Sequence, residues 1–145
     1  MPAKTQSQAT IAPFKIRLVN GKGYTYKQLP KNKETVLIYF SPTCDKCKAF
    51  ASALVRHKTA LKDRQIVMIS YEDIRAVIDF DNTFHLSSQP DIKIGSEGYT
   101  FVVQKYYNIE HFPFIAIYNK NGALLKMIRK EESPQKLIEE LKTAK

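Results

Sequence analysis

Cys44-Asp45-Lys46-Cys47 holds the only two cysteines of this 145-residue chain, three positions apart. On a helix that spacing puts the two sulfurs about one turn from each other, on one face. Such a pair can form a reversible disulfide, yet the bond closes almost no loop and adds little to stability. A disulfide with so little structural use is one that is there to be made and broken. A zinc site would need two further Cys or His ligands, usually as a second spaced pair, and the sequence has no such pair. Metal binding and an inert pair stand as the alternatives to redox chemistry.

The elements around the pair say how the first sulfur would be activated. Thr35-Val36-Leu37-Ile38-Tyr39-Phe40 is a strand-forming run, and Ser41-Pro42-Thr43 ends it. A helical pattern then starts at about Cys44. Phe50, Leu54, His57 and Leu61 recur at helix spacing, with Ala51 and Val55 beside them, which predicts a helix over 44–62. Cys44 would lie at its N-terminus, where free backbone N–H groups and the macrodipole favour an anion. A thiolate, the attacking species, has a lowered pKa in that position. Cys47, one turn deeper, is shielded and suits the resolving role. Lys46 adds positive charge near the thiolate and Asp45 opposes it.

Upstream, Phe14-Lys15-Ile16-Arg17-Leu18-Val19 alternates like a half-exposed strand, and Asn20-Gly21-Lys22-Gly23 turns it into Tyr24-Thr25-Tyr26, a predicted hairpin. Gly21 and Gly23 lack the rest of a phosphate-loop pattern. Residues 65–71 form a continuous apolar run of the kind found in buried parallel strands. Ile74, Val77, Ile78, Asp81 and Phe84 predict a second amphipathic helix, and Glu72, Asp73, Asp79 and Asp81 a solvated acidic face. Ile92 and Ile94 mark a short strand. Tyr99, Val102, Val103 and Tyr106 mark a third helix. Residues 114–118 and 123–128 flank Asn119-Lys120-Asn121-Gly122 as a second hairpin. Ser133-Pro134 opens a last helix as N-cap and first helical residue, with Leu137, Ile138 and Leu141 inward.

Composition bounds the setting. The length fits one domain with a real core, and 43% apolar, 11% aromatic and 26% charged residues are ordinary globular values. No apolar run reaches membrane-spanning length. Residues 1–8 show no apolar signal core, so the chain as written reads as cytoplasmic and not exported. Residues 1–13 are expected to be a flexible N-terminal segment ahead of a single domain over 14–145. The net charge of +9 is uneven: residues 1–64 carry 13 Lys/Arg against 3 Asp/Glu, whereas residues 71–100 carry 2 against 6. The basic half holds the cysteines and could attract acidic partners. No dense basic block or nucleic-acid motif accompanies it, and no nucleic-acid partner is expected.

This order of elements resembles the thioredoxin fold, and within it the TlpA/ResA-like (redoxin) thiol-disulfide oxidoreductases. The carriers are Asn20-Gly21-Lys22 in the hairpin, Cys44–Cys47 after a strand, an insertion over about 72–95, and Tyr107-Asn108-Ile109 leading to Phe112-Pro113. The likeness covers roughly residues 14–142. It implies an α/β three-layer sandwich: a central mixed β-sheet flanked by helices, with an N-terminal β-hairpin and an inserted helix–strand segment. It further implies that Cys44 is the nucleophile and Cys47 the resolving thiol. Pro113 would be a cis-proline packed against the pair, with the backbone of Phe112 free to meet a polypeptide substrate. Thr43 and Lys46, flanking Cys44, are the remaining implied substrate contacts.

Several positions depart from the family pattern. Thr43 stands where Trp usually precedes the first cysteine, Ile38 where thioredoxins bury an acid, and Phe50 where ResA-like reductases often carry Glu. Phe112 replaces the small residue common before the cis-proline. His111, two residues before Pro113, could join two thiolates in a three-ligand metal site, but a surface histidine is the simpler reading and no metal is expected. His57 and His85 have no visible partner. The resemblance thus implies a monomeric reductase of protein disulfides, with no cofactor beyond the cysteine pair and an upstream thiol reductant as second partner. Its setting would be periplasmic or the cell envelope if a leader has been removed. A thiol oxidase using the same pair, or a metal-carrying or redox-inactive binding module, are the alternatives.

Overall fold

Strands β3 (Glu34–Tyr39) and β4 (Arg64–Ser70) are almost continuously apolar because both lie mid-sheet with both faces covered. They run parallel, Val36 opposite Ile66 and Tyr39 opposite Ile69. Parallel neighbours need a crossover, which helix α1 (Asp45–Arg56) provides. The computed structural model describes residues 10–144, so residues 1–9 of the expected flexible segment lie outside the described residues.

The N-terminal hairpin forms as β1 (Lys15–Leu18) and β2 (Gly23–Thr25). The insertion supplies helix α2 (Ile74–Phe84) and strand β5 (Ile92–Ser96). Helix α3 (Val102–Tyr107), strands β6 (Phe114–Tyr118) and β7 (Leu124–Ile128), and helix α4 (Pro134–Thr143) complete the chain. The described strands form one mixed sheet in the order β2-β1-β5-β4-β3-β6-β7. Side chains alternate across it. Val36, Ile38 and Phe40 face the layer of α1, α2 and α4; Leu37 and Tyr39 face the layer of α3 and the N-terminal segment. Antiparallel β6 sets Phe114 opposite Tyr39, so the residues after β3 and those before β6 emerge at the same end of the sheet.

Four expectations need correction. The helix predicted to residue 62 stops at Arg56, and a 3-10 turn, Lys58–Leu61, follows; its tighter winding brings Leu61 into the core. The third helix does not include Tyr99. A 3-10 turn (Gly98–Thr100) and a left-handed Phe101 (φ 54°) precede it, because the Glu97 carboxylate accepts from Val103 N at 2.9 Å and restarts the helix there. Asp81 is buried rather than solvated, and its carboxylate accepts from Ser87 N and Ser87 Oγ, both at 2.6 Å, holding the reversal after α2. Residues 10–13 pack against the domain instead of preceding it. Ala12 is buried and donates to Tyr107 Oη at 3.1 Å, while the Thr10 carbonyl accepts from Tyr106 and Tyr118 hydroxyls at 2.7 and 3.1 Å.

Gly95 sits where β5 meets β1, and a Cβ there would lie 2.2 Å from Arg17 O and 2.8 Å from Arg17 C. Backbone cannot yield as a flexible side chain does. Gly95→Ala should destabilise the protein by about 1–3 kcal/mol in urea unfolding, the usual cost of overpacking. Unchanged stability would mean that β1 is not held against β5.

Burial raises the phenol pKa of Tyr39, Tyr107 and Tyr118, that of Tyr107 to about 12. A folded-state pKa above the unfolded value of about 10 stabilises fully below that pH and is lost as pH climbs through it. Unfolding free energy should therefore fall steeply above about pH 10, and absorbance should show these phenols ionising only as the protein unfolds. Their ionisation with the fold intact would contradict the buried hydroxyl network.

Candidate active site

The loop between β3 and α1 is built by short-range polar contacts. Ser41 is buried; its carbonyl accepts from Cys44 N at 3.1 Å, and its hydroxyl lies 3.1 Å from that of Thr43. The turn delivers Cys44 as the N-cap of α1. Its Sγ accepts from Cys47 N at 3.3 Å, and its carbonyl accepts from Lys48 N at 3.0 Å. A sulfur takes the place that Ser or Asp usually fills, so one otherwise unpaired helix N–H already points at Cys44 Sγ.

Both cysteines are free thiols, and they differ in access. Cys44 is half-buried, whereas Cys47 is 2% exposed and packs in the cluster that includes Ile38 and Phe50. Burial pushes the Cys47 thiol pKa far up; a hydrogen bond from the Ser41 backbone opposes this, and the neighbouring Cys44 adds to it. Ile38 and Phe50 contribute hydrocarbon to this cluster.

From the other side of the site, the Phe112–Pro113 peptide bond is cis, and the Cys44 thiol donates to the Phe112 carbonyl at 3.8 Å. The β3–β6 register brings these two loops together. Pro113 is buried and Phe112 half-buried, its ring 6.0 Å from that of Tyr39 and 5.9 Å from that of Tyr71. Thr43 is exposed beside Cys44. Lys46 is exposed too, but its ammonium pairs with Glu131 in the loop before α4, and burdened with that partner it lines a groove with Asp45, Glu131 and Pro134. The pairing holds the Glu131 carboxyl below its ordinary pKa.

Sequence reasoning missed Glu131, Tyr71 and Glu97. Glu97 is buried with its carboxylate 2.6 Å from Tyr39 Oη, on the face of the sheet away from Cys47. Only the fold brings these residues near the site, and no local pattern announces them. His111 is exposed, and among the described residues no group of three or more His, Cys, Asp or Glu could hold a metal ion. Among the same residues no helix is long and apolar enough to cross a membrane.

No protein-family model matches the chain, and no curated protein matches it. Solved structures do. A secreted Mycobacterium tuberculosis disulfide oxidoreductase homologous to E. coli DsbE is similar at 20% identity, over 89% of this chain and 94% of its own, with a TM-score of 0.73. Mycobacterium tuberculosis DsbF is similar at 17% identity over 93% and 95%, TM-score 0.74. Copper-bound ScoI of Arabidopsis thaliana is similar at 19% identity over 90% and 94%, TM-score 0.68. At such identities the likeness establishes the fold. The protein is a thioredoxin-like α/β sandwich, with a mixed sheet between helical layers.

The difference in burial predicts a difference in labelling. Iodoacetamide in less than stoichiometric amount should alkylate the reduced, folded protein at Cys44, with Cys47 reacting only in denaturant. A peptide map with the adduct mainly on Cys47 would reverse the assignment of the two thiols.

Proposed function

We propose that the protein is a thiol-disulfide oxidoreductase that reduces disulfides in polypeptides. The observation that carries this reading is the arrangement of Cys44: half-exposed, capping a helix, within reach of a backbone carbonyl, and above a buried second thiol. An extended substrate strand can pair with the Phe112 backbone by β-augmentation, which would hold its disulfide over Cys44.

The electrons balance in two exchanges. Cys44, as thiolate, attacks one substrate sulfur; a mixed disulfide forms, the substrate disulfide breaks, and the departing substrate thiolate takes up a proton. Cys47 then gives up its proton and attacks Cys44 Sγ. The Cys44–Cys47 disulfide forms and the second substrate thiol leaves. The substrate gains two electrons and two protons, and the protein loses them. A separate dithiol donor must restore the reduced pair.

Both thiols and the Phe112 backbone come from one chain, so the reading needs only a monomer. Disulfide-bonded substrates accumulate outside the cytoplasm, and a periplasmic or envelope setting accords with it. Thr43 and Lys46 would border the substrate, Lys46 by exchanging its Glu131 partner for an acidic group.

Cys47→Ala should stall the reaction at the first exchange. Mixed with a disulfide-bonded polypeptide such as insulin, it should yield a covalent adduct through Cys44 that dithiothreitol removes, whereas Cys44→Ala should yield none. Intact-mass measurement reads both. No adduct with the Cys47 variant would sink the oxidoreductase reading.

A further inference from the structure

A row of aromatic rings leads away from the cysteines. Phe112, whose carbonyl touches the Cys44 thiol, stacks on Tyr71 at 5.9 Å; Tyr71 meets Phe101 at 5.8 Å, and Phe101 meets Tyr99 at 6.2 Å. The row ends in solvent. Three large apolar side chains are exposed among the described residues, and two lie here, Tyr99 at 74% in the loop and Val102 at the first position of α3.

The loop that carries these rings is held firmly. Glu97 N donates to Ser70 O at 2.8 Å, and the Glu97 carboxylate accepts from both Tyr39 Oη and Val103 N. Ser96 Oγ donates to Glu72 O and accepts from Gly98 N, and Thr100 Oγ1 donates to Glu97 O. Phe101 keeps a left-handed backbone that a bulky residue adopts only at a cost. A loop anchored so completely, with Tyr99 left out in water and Phe101 half-buried behind it, is preorganised for contact.

We infer that Tyr71, Tyr99 and Phe101 form a specificity strip for the substrate polypeptide, selecting disulfides whose cysteine has an aromatic or large aliphatic side chain nearby. The inference rests on the oxidoreductase reading and names the substrate class that reading leaves open. An extended chain rises about 3.3 Å per residue, so the three ring-to-ring steps correspond to a side chain within about five residues of the cysteine. The groove beside Tyr99 sets Glu72 and Asp73 against Lys15 and Arg17, a mixed lining that selects no single sign of charge. The rings, not the charges, discriminate.

The test compares two disulfide-bonded peptides of equal length, one with Phe three residues from the cysteine and one with Ser there. Hydroxyethyl disulfide serves as a third substrate that cannot reach the strip. Wild-type protein should favour the Phe peptide in kcat/KM by about tenfold, an effect of the size that aromatic contacts give. Tyr99→Ser should lower that ratio by about threefold or more. Phe101→Asn should do the same, since Asn tolerates the left-handed backbone while removing the ring. Tyr26→Ser, an exposed aromatic outside the row, should leave the ratio at its wild-type value. Equal rates on the two peptides, or a ratio that Tyr99→Ser does not change, would overturn the strip while leaving the oxidoreductase reading intact. Failure to reduce even hydroxyethyl disulfide would overturn both.

Discussion

The antiparallel register of β6 on β3 is the constraint on which the site depends. With Phe114 opposite Tyr39, two loops far apart in sequence leave the sheet at one end, and the Phe112 carbonyl arrives beside Cys44. A slip of one residue would turn every β6 side chain to the other face and carry Phe112 away from the sulfur. The register is well defended, because β3 and β6 are apolar on both faces and lock into two cores at once. Burial of side chains such as Val36, Leu37, Ile38, Ile115 and Ile117 stabilises by about 1.5–3 kcal/mol each, and most of that would be lost in any other pairing.

The same packing makes the two thiols unlike. They are one helical turn apart and chemically identical, yet α1 meets the sheet with Cys47 among Phe50, Ile38 and other hydrocarbon, and leaves Cys44 at its open end. Low dielectric around Cys47 disfavours its anion, while Cys44 faces a helix N–H. The difference in burial is thus an outcome of where the helix axis points. Ile38 and Phe50 put hydrocarbon, not a carboxylate, in the cluster that holds Cys47.

The opposite face of the sheet serves the site differently. Tyr39 bonds Glu97, and Glu97 organises the turn before α3, so one buried carboxylate ties a core strand to the loop that displays Tyr99 and Phe101. Phe112 touches both cores. Its ring rests on Tyr39 and Tyr71 while its backbone borders Cys44, so the apolar face and the half-exposed sulfur share one anchor.

Much of this was legible in the linear chain because it depends on local pattern. The spacing of Cys44 and Cys47, the break at Ser41-Pro42-Thr43, the apolar runs of β3, β4 and β6, and the Ser133-Pro134 start of α4 all act over a few residues and read directly. Other features were not legible, each for a physical reason. Asp81 resembles a solvated acid until Ser87 folds back to satisfy it. Tyr99 falls at helix spacing, but a carboxylate at Glu97 restarts the helix after it. Lys46 looks free until the loop before α4 brings Glu131 to it. By itself the sequence determined most of the elements and set two sulfurs one helical turn apart, since propensity and spacing are local. Tertiary structure alone decided that Asp81 is buried, that Lys46 pairs with Glu131 and that Tyr99 stands in water, because burial and long-range pairing exist only once the sheet has closed on its helices.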